Sequence, residues 1–143
     1  MAVEYGPGIG TFTAGILQRL PAEARLLTIE TNGDFVDYLR RELVDPRLLV
    51  EHGSAADVEE ILRRHQLPPA DCVVSGIPFS VMPQGLRRAI LIGTRAALAP
   101  EGAFLVYQFS GKVERDLREI FRRVERGYVL RNVLPAHWFD CRS

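Results

Sequence analysis

Long apolar runs are missing from this chain. No stretch approaches the roughly 18 consecutive apolar residues that span a bilayer, and the first residues lack the basic, apolar and small-residue succession of a secretory leader. A soluble, cytoplasmic protein is the expectation. Cysteine is scarce: Cys72 lies in an apolar run and Cys141 near the end, without a CxxC pair, and an intracellular chain of this size needs no disulfide. Both are read as reduced core or strand residues. His52, His65 and His137 have no metal-ligand spacing with one another or with the cysteines, so no metal and no catalytic histidine are assigned, although His52 falls at the end of a strand near the expected cleft. Net charge is absent as well, 18 basic residues balancing 18 acidic ones, which removes the general positive field that draws a polyanion. Lysine is nearly missing, Lys112 being the only one. Arginine suits bidentate contact with phosphate, so a local anionic contact stays open beside the plainer reading of compositional bias and solvated helix faces.

What is present is 47% hydrophobic residues in a chain of 143, enough for one core and a single domain. Met1 to Tyr5 reads as a strand and Gly6-Pro7-Gly8-Ile9-Gly10 as the turn after it. A helix starts near Thr11, with Phe12, Ile16, Leu17 and Leu20 on one face, and Pro21 ends it. Arg25 to Glu30 reads as a buried strand, and Phe35, Val36, Leu39 and Leu43 as the core face of a second helix. Leu48 to Val50 follows as a strand, then a helix with Val58, Ile61 and Leu62 inward and Glu59-Arg63 and Glu60-Arg64 paired outward. Cys72 to Val74 is a fourth strand, Gln84 to Leu98 a helix, and Ala103 to Phe109 a fifth strand. Val113, Leu117, Ile120, Phe121 and Val124 mark the last helix, and Tyr128 to Val133 with His137 to Cys141 a terminal hairpin around Pro135.

This alternation predicts an α/β, doubly wound sheet, mostly parallel with an antiparallel terminal strand and helices on both faces. Ligands of such sheets bind outside the carboxyl ends of the strands, where strand order reverses. In the first of those loops three glycines leave bare backbone, permitting positive φ and close approach. Glu4, two residues before Gly6, sits where a carboxylate receives an ammonium group. Dinucleotide binding prefers Gly-x-Gly-x-x-Gly, and Thr11 occupies the place of its third glycine. A phosphate-free nucleoside with a charged amino-acid tail fits better. Glu30, at the end of the second strand, is placed to accept from both hydroxyls of a ribose; the alternative is an ordinary acid before a helix amino terminus.

After the third strand comes Gly53-Ser54-Ala55-Ala56-Asp57, and after the fourth Ser75-Gly76-Ile77-Pro78-Phe79. With Glu-x-Gly-x-Gly-x-Gly and Glu30, these segments resemble class I S-adenosylmethionine-dependent methyltransferases with a Rossmann-like sheet, above all the bacterial phospholipid N-methyltransferases and the related ribosomal RNA adenine dimethyltransferases. The resemblance runs from Val3 to about Gln108. It implies S-adenosylmethionine as cofactor, with Gly6, Pro7, Gly8 and Gly10 lining the methionine portion, Glu4 near its amino group, Glu30 on the ribose, and Ser54 and Ala55 at the adenine. The family more often has an aspartate or asparagine at Ser54, and Asp57 or a water would have to make up the reach.

The Ser75 to Phe79 segment bears on the reaction. Adenine-modifying relatives begin it with an asparagine, whose place Ser75 is read as taking. The serine form is associated with the phospholipid branch and implies the amine of phosphatidylethanolamine as methyl acceptor. Ser75, Gly76, Pro78, Phe79 and Tyr107 are then the catalytic candidates: backbone carbonyls near Ser75 and Gly76 and the Tyr107 side chain orient the amine, with Phe79 walling the pocket. Pro78 and Phe79 also read as a rigid turn with a core aromatic. Arg87, Arg88 and Arg95 are candidates for a lipid phosphate, with Leu86, Ile90 and Ala97 packing inward. The expected partner is a phospholipid at the surface of the inner membrane, with nucleic acid disfavoured. Family members usually carry a segment before the glycine loop that covers the cofactor, whereas here the first strand begins at Met1; a homo-oligomer is one way of covering the cleft. An RNA adenine N-methyltransferase, a nicotinamide-dependent oxidoreductase and a non-catalytic cofactor-binding domain are the competing readings.

Overall fold

Strands β1 (Ala2–Tyr5) and β2 (Leu26–Glu30) are buried along their whole length, as a parallel sheet covered on both faces requires of its central strands. They belong to a seven-stranded sheet of order β3-β2-β1-β4-β5-β7-β6, completed by β3 (Leu48–His52), β4 (Ala70–Ser75), β5 (Leu98–Gln108), β6 (Arg123–Val129) and β7 (Ala136–Arg142). The computed structural model describes residues 1–129 and 136–143. Strands β1 to β5 run parallel, and β7 lies antiparallel between β5 and β6. The order reverses between β1 and β4, so the loops after these two strands stand side by side where this architecture binds ligands.

Among the described residues, the α-helices that connect the strands are α1 (Thr11–Arg19), α2 (Gly33–Glu42), α3 (Val58–Arg64), α4 (Gln84–Ala97) and α5 (Glu114–Ile120). The main core gathers Val3, Tyr5, Phe79, Ile90, Leu91, Phe104, Leu117 and Phe139 between the sheet and its helices. Tyr5 is fully buried, with its hydroxyl 3.0 Å from Thr94 Oγ1, which supplies the partner a buried phenol needs.

Several expectations from periodicity need correction. The buried residues of α1 are Thr13 and Leu17, while Phe12 is 58% exposed; the helix turns its polar threonine inward because Glu4 is there to meet it. Phe35 and Leu86 also face solvent, leaving Val36 and Leu39 inward on α2, and Ile90, Leu91 and Ala97 among the buried residues of α4. Arg64 pairs with Glu51 on β3 rather than with Glu60 on its own helix. β5 starts at Leu98 and ends before Phe109. Val124 belongs to β6, since α5 ends at Ile120 and the chain is extended from Arg123. The terminal hairpin is present as β6 and β7, but its Leu130 to Val133 portion and the turn at Pro135 lie outside the described residues.

Candidate active site

Gly6, Gly8 and Gly10 all have positive φ, at 67°, 55° and 82°, a region that L side chains enter at a cost of about 1–2 kcal/mol. Their surroundings differ. A Cβ on Gly10 would lie 2.7 Å from both Leu39 and Leu43, whereas a Cβ on Gly8 would meet nothing within 4 Å. Gly10 thus packs the turn against α2, and Gly8 offers open backbone to the cleft. A Cβ on Gly6 would come within 3.3 Å of Ile77, so the first loop and the loop after β4 are in contact.

Glu30 ties the first two loops together. Its carboxylate accepts from the Gly8 amide at 3.1 Å and from the Asn32 amide at 2.9 Å. The cap of α2 is Asn32, whose side chain accepts from the Asp34 and Phe35 amides. Glu30 does precede the amino terminus of α2, but it is buried and stands between the glycine turn and the second loop. After β3, Ser54 Oγ accepts from the Ala56 amide and caps a short 3₁₀ turn (Ala55–Asp57), while Ala55 is buried in the core. Both side chains are engaged, which leaves backbone to face a ligand there. His52 Nε2 lies 3.1 Å from the Thr31 carbonyl, beside the start of α2.

Glu4 is 3% exposed and accepts from Thr13 Oγ1 at 2.7 Å. Burial pushes its carboxyl up to about 7, the threonine bond offsetting only part of that. Within a pH unit or so of neutrality the site has a carboxyl whose charge depends on what is beside it.

After β4, Ser75 is fully buried as the last residue of the strand, and its Oγ accepts from the Ile77 amide at 3.4 Å. Its side chain does not point at an acceptor. Counting back from Pro78-Phe79, the asparagine of Asn-x-Pro-Phe falls on Gly76, which is exposed and has no atom within 4 Å of its Cβ position. That corrects the assignment of the asparagine's place to Ser75. Phe79 is also fully buried, its ring edge-on to Phe104 at 6.5 Å. It anchors the loop from below and does not wall an open pocket; Pro78 above it is exposed. Tyr107, half-buried near the end of β5, has Phe12 at 6.1 Å and Phe109 at 5.8 Å between ring centres.

One residue with no role assigned from sequence organises this loop. Gln108, 4% exposed, donates from Nε2 to the Ile77 carbonyl at 2.6 Å and accepts at Oε1 from the Phe79 amide at 3.1 Å. Its sequence signal is modest: a polar residue closing a buried strand has to find partners. The three arginines of α4 are not a phosphate grip. Arg87 bonds Asp116 at 2.5 Å and the Phe79 carbonyl at 3.2 Å, Arg88 bonds Glu119 at 2.6 Å, and Arg95 is at the far end of the helix, three residues before β5 starts.

A surface concavity lined by Pro100, Glu101, Arg123, Asp140 and Arg142 lies where β5 begins, away from the loops that follow β1 and β4. Its charges pair among themselves, Arg142 with Asp140 and Arg123 with Glu125.

No protein-family model matches the chain. It is 31% identical over 145 residues to the ornithine lipid N-methyltransferase of Singulisphaera acidiphila, covering all of this chain and 76% of that protein. A probable ribosomal RNA small subunit methyltransferase A of Methanospirillum hungatei is 29% identical over 102 residues, covering 68% of this chain and 36% of that one. Among solved structures, human methyltransferase-like protein 13 in complex with SAH superposes with a TM-score of 0.74 at 13% identity, covering 99% of this chain and 70% of that one.

Proposed function

From the premise that this chain belongs to the class I S-adenosylmethionine-dependent methyltransferases, we propose that it methylates the primary amine of a membrane lipid headgroup, phosphatidylethanolamine or an amino-acid lipid of the ornithine type. The observation that carries this reading is the acceptor loop. At Gly76 it presents an exposed backbone with no side chain, and the exposed apolar residues Ile9, Phe12, Val81 and Phe109 follow β1, β4 and β5 at the same end of the sheet, Phe12 and Phe109 both against Tyr107. Exposed apolar groups gathered around a cleft mark a ligand or membrane contact, and a flexible aliphatic amine needs less specific edge recognition than a base. The relative's name adds support for a lipid amine and favours ornithine lipid over phosphatidylethanolamine.

The donor side has features that fit the cofactor. Gly8 offers open space beside its amide, and Glu4 is a buried carboxyl with a raised pKa; an ammonium group placed against it would favour its ionised form. In this reading Gly6, Pro7, Gly8 and Gly10 shape the methionine subsite, Glu4 receives the ammonium, Glu30 the ribose hydroxyls, and the backbone at Ser54 and Ala55 the adenine. S-adenosylmethionine supplies, when bound, a methyl group on an electrophilic sulfonium. The protein's own contribution is to hold an amine in line and keep water away. Of the carbonyls from Gly76 to Phe79, that of Ile77 accepts from Phe79 and Gln108, that of Pro78 from Val81, and that of Phe79 from Met82 and Arg87. The Gly76 carbonyl has no such partner among the described residues and is assigned to accept an N–H of the amine, with Tyr107 beside it on β5. Ser75 and Phe79 support this geometry from beneath.

The test is incubation with labelled S-adenosylmethionine and, in parallel, vesicles of phosphatidylethanolamine, vesicles of ornithine lipid, or unmethylated ribosomal RNA. Label in either lipid supports the reading. Label in RNA alone overturns it and leaves the methyltransferase assignment intact.

A further inference from the structure

We infer that Gln108, backed by the Arg87–Asp116 pair, is a positioning brace that holds the acceptor loop in its methyl-transfer geometry without touching either substrate. The inference rests on the reading of Gly76 to Phe79 as the acceptor loop. Gln108 grips that loop at two points, the Ile77 carbonyl and the Phe79 amide, and a third bond from Nε2 to the Tyr107 carbonyl at 2.7 Å fixes the amide on its own strand. The orientation of the amide is determined, because turning it over would set N–H against N–H at Phe79 and oxygen against oxygen at Ile77.

The second grip comes from behind. Arg87 on α4 bonds the Phe79 carbonyl through Nη1 and Asp116 on α5 through Nε. Asp116 is 1% exposed, and its Oδ1 accepts no hydrogen bond among the described residues, with Arg88 Nη1 at 3.8 Å. A buried carboxylate with an unsatisfied oxygen is poor value for stability, because an apolar pair of similar volume does as well or better. Its effect here is directional: it fixes the guanidinium whose other nitrogen meets the loop. Loop residues 77 and 79 are thus held from β5, and residue 79 also from α4 through Arg87, while Gly76, one residue before the grip, has no hydrogen bond to its carbonyl among the described residues. A small displacement of such a group is enough to lower the rate of an in-line transfer by about 100-fold.

The donor loops follow β1, β2 and β3 and, among the described residues, share no hydrogen bond with this brace. Gln108→Leu, which keeps the volume and removes the bonds, should therefore lower kcat at least about tenfold while the affinity for S-adenosylmethionine changes less than about twofold. Asp116→Asn should lower kcat in the same way. The double variant should fall short of the product of the two, because both act on one loop. Gln108→Glu, which keeps one acceptor for the Phe79 amide but repels the Ile77 carbonyl, should not restore the rate. Independently of any acceptor, amide hydrogen exchange at Phe79 should quicken in Gln108→Leu, with the glycine turn unchanged. Faster exchange at Phe79 together with unchanged cofactor affinity supports the brace even if the acceptor proves not to be a lipid. Unchanged exchange at Phe79, a rate that survives in Gln108→Leu, or a cofactor affinity that falls in step with kcat would overturn it.

Discussion

The two sides of the strand-order reversal hold their loops in different ways. On the β1-β2-β3 side the loops are fixed by backbone conformation and by side chains of the loops themselves: three residues at positive φ, Glu30 accepting from two main-chain amides, and Asn32 and Ser54 capping the turns that follow. On the β4-β5 side the loop is fixed by long side chains reaching from β5, α4 and α5. The first arrangement fits a cofactor common to many reactions, and the second leaves the acceptor site adjustable by substituting residues that never enter it.

The sharpest way to break this contrast is at Gly10. Gly10→Val forces a β-branched residue to a φ of +82° and places carbon 2.7 Å from Leu39 and Leu43, so strain and overpacking of roughly 1–3 kcal/mol each should combine. Urea denaturation should find the variant largely unfolded or severely destabilised. Gly8→Ala, with open space around its Cβ position, should lose only about 1–2 kcal/mol and keep the fold while weakening S-adenosylmethionine. If the two variants lost the same stability, the division between a packing glycine and a cleft glycine would be wrong.

Glu4 gives a pH test of intermediate size. Burial pushes its carboxyl up to about 7 from the ordinary 4.5, so the folded protein keeps a proton that the unfolded chain releases. That contribution to stability is complete below about 4.5 and is lost as pH rises through about 7. An α-amino group stays charged over this range and favours the carboxylate, so S-adenosylmethionine should bind more tightly as pH rises from 5 to 7, with proton release on binding. Glu4→Gln should flatten the profile. Calorimetry in buffers of different ionisation enthalpy measures this, and a profile unchanged in Glu4→Gln would remove Glu4 from the cofactor site.

The smallest effects belong to the apolar border. Phe12→Ser and Phe109→Ser alter side chains about 60% exposed, so thermal stability should move by no more than about 0.5 kcal/mol. Sedimentation with lipid vesicles should show severalfold weaker association in each, with unchanged S-adenosylmethionine affinity. Unchanged vesicle association in both would show that this border plays no part in meeting lipid.

The same contrast explains what was legible in the sequence. Glycines in a tight strand-to-helix turn and an acid at the next strand end are backbone requirements that map onto residue types at fixed spacing, so Gly6, Gly8, Gly10 and Glu30 stand out, and the alternating elements give the parallel sheet. The acceptor side is not written that way. Gln108 looks like one more strand residue, Arg87 and Asp116 like surface charges, and only the fold brings them to one loop. Ser75 and Phe79 belong to the right segment; of the two readings of Phe79 the core aromatic is the one that holds, whereas nothing in the sequence marks Ser75 as pointing inward. Periodicity puts Phe12 on the inner face of α1 because an apolar residue outranks a threonine, whereas in the structure Thr13 is buried and bonds Glu4. The arginines of α4 share a pattern with a phosphate grip, and α5 takes two of them with its acids.

Calorimetric titration of S-adenosylmethionine into the wild-type protein and Glu30→Ala measures whether the donor side is built on Glu30 and the glycine turn. Each hydrogen bond to a charged group contributes about 1.5–3 kcal/mol, so loss of the carboxylate should weaken binding by roughly tenfold to more than a hundredfold. An affinity unaltered by Glu30→Ala would contradict the assignment of the cofactor to these loops.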